Sequence, residues 1–497
     1  MNDAILVASP IVVGFLVAGL SALNLRSEAW QRTLLVVGSL LQVVAASWLL
    51  VQTAGRGMVA ASMGYWPAPF GIVLVSDVTS ALLVLVTAVL GLVALPQELS
   101  MIPSSQIRRG HVVFRFLLLS GVCGAFLTGD LFNLYVWFEV LLMASFVLLG
   151  LGPSKARAEG ATKYVVLNLL SSVSFLGGIG LLYAAYGTLN MAQLHHLASQ
   201  SAPSPLATAG TIAIFTAFAV KAGLFPLFAW LPSSYHLPET PVAALFAGLL
   251  TKVGVYALVR MGTLLSPGQD WLAPAFAVAA ILTMALAVLG AVAQTHMRRI
   301  LSWHIPSQIG YMAMGLALGT RAALAATVFY IVHHILVKTG LFLAAGSLRL
   351  RRHSEELAQG GGLWKSSPLA AVAFLACALS LAGMPPFSGF WAKIGIVREG
   401  LSLESWLLVA VALGTSVLTL YSMVKIWNEG FWKEPEEVLP APTRGTAFAV
   451  DSPVVVLAVV TLVLGLFPGP LWSLAVVAGE QLSDPSLYVR TVLGEAP

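Results

Sequence analysis

The chain has 497 residues, of which 58% are hydrophobic and only 9% are charged, and its mean hydropathy is +0.89. In a soluble domain about a quarter of the residues are charged, so this composition excludes a soluble protein and indicates one that crosses a membrane many times. The net charge of +5 does not indicate nucleic-acid binding, because the sequence has no basic tract interleaved with aromatic residues.

Apolar runs of about 20 residues, long enough to cross the hydrocarbon core, predict fourteen transmembrane helices, called spans 1 to 14 below. The spans start near residues 4, 31, 71, 111, 131, 162, 206, 240, 270, 299, 321, 366, 404 and 450. Most Lys and Arg residues fall in loops on one side of these spans, as do Arg108, Arg109, Arg351 and Arg352, whereas Arg260 falls on the other side. Because cytoplasmic loops carry the excess of positive charge, both termini are predicted to lie outside.

Two of the spans contain helix breaks. Span 7 carries Pro226 within GLFPLF, and span 12 carries Pro385 and Pro386 between Gly383 and Gly389. Proline removes a backbone donor and clashes with the preceding turn, so both spans are predicted to be discontinuous at membrane depth. The alternative is two unrelated proline kinks.

The two breaks lie five spans apart, which predicts a repeat of five. An odd-numbered repeat returns with the opposite membrane orientation, so spans 4–8 and 9–13 are predicted to form two inverted repeats, a common plan of transporters. The domains are then residues 1–110 with spans 1–3, 111–265 with the first repeat, 266–432 with the second, and 433–497 with a loop and span 14. The fold class is therefore all-α and polytopic.

Five ionisable side chains lie well inside the predicted spans. They are Glu139, Lys221, Lys252, Lys338 and Lys393. Each costs about 2.5–3.5 kcal/mol at the bilayer centre on insertion scales, which indicates a function rather than chance. Snorkelling to an interface is the alternative, and it suits Lys425 and Arg115, which lie nearer the ends of their runs.

The choice of lysine over arginine has a chemical reason. Burial disfavours the charged form of an ammonium, so a buried lysine can release its proton, whereas arginine stays charged. Glu139 is the only acid deep in any predicted span. Placed near Lys221 it would favour the charged lysine, and moved away it would let the lysine release its proton. The alternative is a static ion pair that holds spans 5 and 7 together.

Histidines are candidates for intermediate steps. His334 and Lys338 are four residues apart and share a helix face, whereas His333 points about 100° away. His304 in span 10 is a further candidate. A lone buried histidine is more often a hydrogen-bonded core residue, and that alternative stays open here.

The sequence predicts neither covalent chemistry nor a cofactor or metal site. No nucleophile elbow, phosphate loop, dinucleotide fingerprint or metal-ligand cluster is present. Cys123 and Cys377 both lie in apolar runs without metal-ligand spacing, so they are predicted to be core or lipid-facing residues.

Five motifs carry a resemblance to a known family. They are GDLFNLYVWFEVLLMASF, KAGLFPLFAWLPSSYHLPETPVAALFAGLLTKVGVY, RRILSWHIPSQIGYM, HHILVKTGLF and AGMPPFSGFWAKIGIVREGL. The sequence resembles the antiporter-like subunits shared by respiratory complex I, membrane-bound hydrogenases and the Mrp (multiple resistance and pH) cation/proton antiporters. The resemblance covers most of the chain and is greatest to the D-type branch of the Mrp antiporters. One departure is QTHMRRI, where many members carry an acid before the basic pair.

The resemblance implies a proton-translocating subunit of a multisubunit monovalent cation/proton antiporter in a bacterial plasma membrane, with partner subunits of the A, B, C, E, F and G types. In that family the ionisable groups form a hydrated chain at mid-membrane. The positions that match this chain are Glu139, Lys221, Lys252, His334, Lys338 and Lys393.

The family also leaves a redox alternative, a proton-pumping subunit of a complex I-like dehydrogenase or a hydrogenase. A structural membrane subunit without ion transport is the second alternative. The spans contain no carboxylate cluster suited to sodium, which favours a route for the cation outside this chain.

Overall fold

The computed structural model describes residues 3–152, 154–200, 202–435 and 439–494. The first helices are α1 (Asp3–Ala22), α2 (Glu28–Arg56), α3 (Val78–Met101), α4 (Ser104–Ile107), α5 (His111–Leu127), α6 (Leu131–Gly150), α7 (Lys155–Tyr186), α8 (Met191–Gln200), α9 (Pro205–Ala222), α10 (Trp230–Ser234), α11 (Thr240–Leu245) and α12 (Thr251–Leu264). The later helices are α13 (Leu272–Val292), α14 (Met297–Leu318), α15 (Arg321–Arg352), α16 (Leu363–Ser366), α17 (Pro368–Ala382), α18 (Ser388–Ser402), α19 (Trp406–Ile426), α20 (Arg444–Leu466), α21 (Gly469–Ser483) and α22 (Pro485–Leu493).

The polytopic helical class is confirmed, while the number of spans is not settled. Eleven helices of the described residues are long and apolar enough to cross a membrane. The other three predicted spans coincide with α5, which is short, with α14, which is less apolar, and with the broken pair α17 and α18. The count of fourteen therefore stays a prediction.

A short hairpin departs from the all-α prediction. Strands β1 (Val59–Ser62) and β2 (Val73–Ser76) pair antiparallel, so the predicted start of span 3 near residue 71 is too early. Asp77 begins α3 instead: its carboxylate accepts from Ser80 N at 2.8 Å, and Ser80 Oγ accepts from Asp77 N at 2.9 Å. The apolar residues of β2 run directly into those of α3, and an apolar run alone does not separate strand from helix.

Spans 7 and 12 are discontinuous, as predicted. The helix α9 ends at Gly223 (φ +82°) and α17 ends at Gly383 (φ +92°), in the left-handed conformation that glycine takes without steric cost. In both breaks the residue after the glycine bonds back to the last helical turn, from Leu224 N to Ala219 O at 2.9 Å and from Met384 N to Leu379 O at 3.0 Å. The two breaks therefore have the same local backbone arrangement.

A third break, in addition to the two predicted ones, divides span 14. The helix α20 ends at Leu466, and α21 resumes at Gly469 and packs on α15. Gly465 O accepts from Trp391 Nε1 at 2.8 Å, and a side chain at Gly465 would collide with Pro386 O. The end of α20 therefore lies against the break of span 12.

The two ends of the described chain lie on one face, called the terminus face below. Arg56 at the end of α2 pairs with Asp3 at the start of α1 at 3.1 Å. The strand β1, which follows α2, contacts α22, and α22 also contacts α8. Which side of the membrane this face occupies stays a prediction.

Two arginines lie deeper than predicted. Arg115 does not snorkel: it is fully buried and its Nε lies 2.8 Å from Oε2 of Glu98 on α3, which is also fully buried. Glu139 is therefore not the only buried acid. Arg260, predicted in a loop, lies buried in α12 and pairs with Asp77. A charge in an apolar run needs an opposite charge, and here that partner lies on another element of the fold.

Candidate functional site

Lys221 and Glu139 are joined through a serine. Lys221, in the last turn of α9 and 5% exposed, donates from Nζ to Ser172 Oγ at 3.3 Å. Ser172, on α7, donates to Oε1 of the half-buried Glu139 at 2.5 Å. The described ion pairs do not include a direct Glu139–Lys221 pair. Glu139 and Lys221 are thus joined by two hydrogen bonds through Ser172 rather than by a direct ion pair, and sequence reasoning missed Ser172 because it carries no charge.

The break beside Lys221 is held by side chains. Trp230 Nε1 donates to Val220 O at 2.9 Å, and Phe225 N donates to Thr283 Oγ1 at 2.9 Å. Backbone groups released by a broken helix need such partners at membrane depth. The end of α9 that carries Lys221 is therefore fixed in place without a continuous helix.

Lys252 lies at a local widening of its helix. A π-helical segment, Phe246–Leu250, joins α11 to α12, and the fully buried Lys252 donates from Nζ to Ala247 O in that segment at 2.5 Å. Such π-bulges occur frequently at functional sites. A side chain at Gly254, half a turn further on, would collide with Ala222 N, so α12 packs directly on the end of α9.

His334 and Lys338 lie fully buried in α15, next to the helix of Lys252. Thr339 Oγ1 lies 3.5 Å from Ala244 O, which brings α11 against α15 at this level. Among the described residues, Nζ of Lys338 and both ring nitrogens of His334 have no hydrogen-bond partner, and neither has Nε2 of His304 on α14. Buried polar groups in native proteins nearly always have a partner, either protein or water. These side chains are therefore the groups of the site that need water.

The buried residues Lys221, Lys252, His334, Lys338 and Lys393 are called the lysine row below. Lys393 lies at the far end of this row, in α18, and is 6% exposed. Its Nζ donates to Ala382 O at 3.1 Å, a carbonyl released by the break, and to Ser416 Oγ on α19 at 3.0 Å. It also lies 4.6 Å from the centre of the Tyr311 ring. The ammonium thus contacts both the end of α17, before the break, and the neighbouring helix α19.

The two breaks do not carry their lysines at the same place. Lys221 lies two residues before the first glycine, where the second break has Leu381, and Lys393 lies ten residues after Gly383. The arrangement expected from the repeat is thus present in the backbone but not in the position of the charge.

Polar aromatic side chains connect the histidines with Lys393. Tyr330 lies 6.5 Å from His334, stacks on Tyr311 at 5.4 Å between ring centres, and donates to Gln308 Oε1 at 2.7 Å. These residues are uncharged, so a prediction based on ionisable groups does not include them. Their signal in the sequence is a run of polar residues in span 10, Ser307, Gln308 and Tyr311.

His333, one residue before His334 in α15, has a different polar neighbour. Its Nδ1 lies 2.8 Å from Ser388 Oγ at the start of α18, and its ring is fully buried. It thus faces the break of span 12, where Pro385 and Pro386 lie, and not Lys338.

Buried lysines and histidines across the middle of a helical bundle, with broken helices beside them, define an ion-translocating membrane protein. Residues 128–419 match the family described as NADH:quinone oxidoreductase/Mrp antiporter, TM. This is more than half of the chain, so the chain belongs to that family.

Individual relatives agree with this assignment. The D subunit of the Na(+)/H(+) antiporter of Alkalihalophilus pseudofirmus is 40% identical over 100% of both chains. A chain of the Mrp complex from Dietzia sp. DQ12-45-1b has a TM-score of 0.92 and 33% identity, with 99% of each chain covered. A chain of the membrane-bound sulfane sulfur reductase, an archaeal respiratory membrane complex, has a TM-score of 0.90 and 30% identity, also with 99% of each covered.

Proposed function

We propose that this chain is the proton-translocating subunit of a multisubunit monovalent cation/proton antiporter. The observation that carries the proposal is the buried pair Lys338 and His334, which lies between Lys252 and Lys393 and whose nitrogens have no hydrogen-bond partner in the described part of the chain. Protons enter near Lys221 and Lys252, pass by water and the His334/Lys338 pair, and leave near Lys393. The names of the antiporter relatives support this function.

The chemistry of the row suits protons better than metal cations. A lysine ammonium repels a cation but can release and rebind a proton when burial disfavours its charge. His304 is buried and its Nε2 has no hydrogen-bond partner among the described residues, so it can add a protonatable nitrogen. Sodium prefers oxygen ligands, and the row offers nitrogen.

Glu139 is placed to sense a neighbouring subunit. On the same face of α6, Val136 is 38% exposed and Met143 is 55% exposed. A carboxylate that faces lipid is costly, so we expect a polar surface of another subunit to cover this face. A neighbour that moves or neutralises Glu139 changes the proton affinity of Lys221 through Ser172.

The orientation proposed from the sequence has both termini outside. The face opposite to the terminus face carries an excess of arginine, at Arg157, Arg298, Arg299 and Arg349. The positive-inside rule supports a cytoplasmic position for that opposite face, in a bacterial plasma membrane.

The proposed function is tested by purifying the chain with the complex in which it occurs. We expect other membrane subunits of the antiporter to co-purify, and vesicles that contain the complex to acidify or alkalinise when a sodium or potassium gradient is imposed. Co-purifying iron–sulfur subunits without cation-driven proton movement would favour the redox alternative, which the similarity to the sulfane sulfur reductase keeps open.

Replacing Ser172 with alanine is expected to slow exchange about tenfold or more, because a hydrogen bond to a charged group contributes about 1.5–3 kcal/mol. The variant breaks the link between Glu139 and Lys221 while leaving both charges in place. The initial rate of cation-driven pH change in vesicles measures this effect.

Ser171→Ala is the matched control, because the hydroxyl of Ser171 bonds only to a backbone carbonyl, Ala217 O at 2.9 Å, within the described part of the chain. Equal rates for the two serine variants would show that the relay through Ser172 has no part in transport.

A further inference from the structure

We propose that His333, Ser388 and Thr461 form a second proton-conducting branch, which leaves the lysine row at the break of span 12 and reaches span 14. The inference rests on the proposed function and adds a helix that lies outside both predicted repeats.

The three side chains form a continuous line of short contacts. His333 Nδ1 lies 2.8 Å from Ser388 Oγ, and Ser388 Oγ lies 2.6 Å from Thr461 Oγ1. Thr461 Oγ1 also lies 2.7 Å from Ser380 Oγ. All four side chains are buried, and they come from four helices, α15, α18, α20 and α17. Hydroxyl groups both donate and accept, so such a line can carry a proton without holding a charge.

The backbone of a broken helix does not by itself require these hydroxyls. Counted from the glycine that ends each first half, Ser380 corresponds to Val220 and Ser388 to Phe228 at the first break. The two breaks share their backbone hydrogen bonds, but only the second carries hydroxyls at these positions. The polar line is therefore a property of the second break alone.

His333 connects the line to the lysine row. It follows Tyr330 by one turn, and the two rings meet edge to face at 5.7 Å. Its Nε2 is buried and has no hydrogen-bond partner among the described residues. One ring nitrogen thus contacts the hydroxyls, and the other, which has no hydrogen-bond partner among the described residues, can accept a proton.

Beyond Thr461 the branch points to the terminus face. One turn further along α20, Gly465 O accepts from Trp391, and Trp391 lines a groove of about 430 Å³. The groove also holds Pro468 and Gly469 of the third break and the side chain of Glu399. Thr320 at the start of α15 donates to Glu399 Oε2 at 2.9 Å, which places the groove at the terminus face.

The transfer is a proton relay with no change in heavy-atom bonds or oxidation state. His333 Nε2 accepts a proton from the row while Nδ1–H gives its own to Ser388 Oγ. Ser388 passes its hydroxyl proton to Thr461, and Thr461 releases its own to water that enters from the groove. Each hydroxyl gains one proton and loses one, and a change of tautomer returns the ring to its starting state.

Replacing Thr461 with valine tests the branch, because valine keeps the shape and removes the hydroxyl. We expect Thr461→Val to lower the rate of exchange at least about tenfold at an equal amount of assembled complex. Thr461→Ser restores the hydroxyl and is expected to restore the rate. The matched control is Thr87→Val, since the buried hydroxyl of Thr87 bonds to Leu83 O in its own helix, at 2.8 Å.

Near-normal exchange by Thr461→Val, or failure of Thr461→Ser to recover it, overturns the branch. If the valine variant assembles poorly, Ser388→Ala is measured in its place, with the same expected loss. A complex that loses exchange with Lys221→Ala but keeps it with Thr461→Val or Ser388→Ala lacks the branch and retains the proposed function. Exchange that survives all of these changes contradicts the proposed function itself.

Discussion

Replacing Lys221 with alanine is expected to abolish proton-coupled cation exchange by the assembled complex, with a loss of at least about 100-fold. Lys221 is buried, adjoins the break of span 7, and reaches Glu139 through a single hydroxyl. Without it the carboxylate no longer acts on a proton carrier. Glu139→Ala is expected to give a similar loss, because the lysine then has nothing to set its proton affinity.

The variant Lys221→Arg tests whether Lys221 acts through its positive charge alone or through release of its proton. Arginine keeps the positive charge but does not give up its proton, so this variant is also expected to be inactive. Lys425→Ala is the matched control, since Lys425 binds carbonyls at the end of α13, Val292 O at 3.1 Å and Gln294 O at 2.7 Å, and lies outside the row. An arginine variant with a normal rate would mean that Lys221 acts only as a fixed charge, and an alanine variant with a normal rate would remove it from the path.

Replacing Arg115 with alanine is expected to destabilise the folded chain by about 3–5 kcal/mol, because it leaves the carboxylate of Glu98 buried without a partner. Both side chains are fully buried, and Arg115 also donates to Gly91 O at 2.5 Å. The midpoint of thermal unfolding in detergent measures the effect.

The double variant Arg115→Met with Glu98→Gln removes both charges and is expected to lose much less stability than Arg115→Ala. Lys365→Ala breaks the exposed pair with Glu434 and is expected to leave the midpoint of thermal unfolding almost unchanged. If the double variant is as unstable as Arg115→Ala, packing rather than charge explains the loss.

The sequence predicts the breaks well because their cause is local. Proline and glycine act on the residues beside them, so Pro226, Pro385 and Pro386 predict where α9 and α17 end. The hairpin was missed because the apolar residues of β2 run directly into those of α3, and hydropathy alone does not separate a strand from a helix. The third break has the same local cause as the other two, since Pro468, Gly469 and Pro470 follow the end of α20, so its signal is present in the sequence.

Partners of buried side chains could not be predicted, because they come from distant parts of the chain. Arg115 meets Glu98 across two helices, and Lys221 meets Ser172, which is 49 residues away. Each charge is visible in the sequence, but the uncharged group that links it to the next is not. The lysines of the row were therefore candidates from the start, while Ser172 and Thr461 required the structure.

The positions of Lys221 and Lys393 relative to their breaks decide which membrane surface their helices reach. The half-helix α9 starts at the terminus face and ends with Lys221, and α18 carries Lys393 and runs back to the same face. Inverted repeats would put equivalent residues on opposite sides of the membrane. Because Lys221 precedes its break and Lys393 follows its own, both lysines lie on half-helices that reach the same surface. The other two half-helices, α10 and α17, reach the opposite surface and carry no lysine of the row.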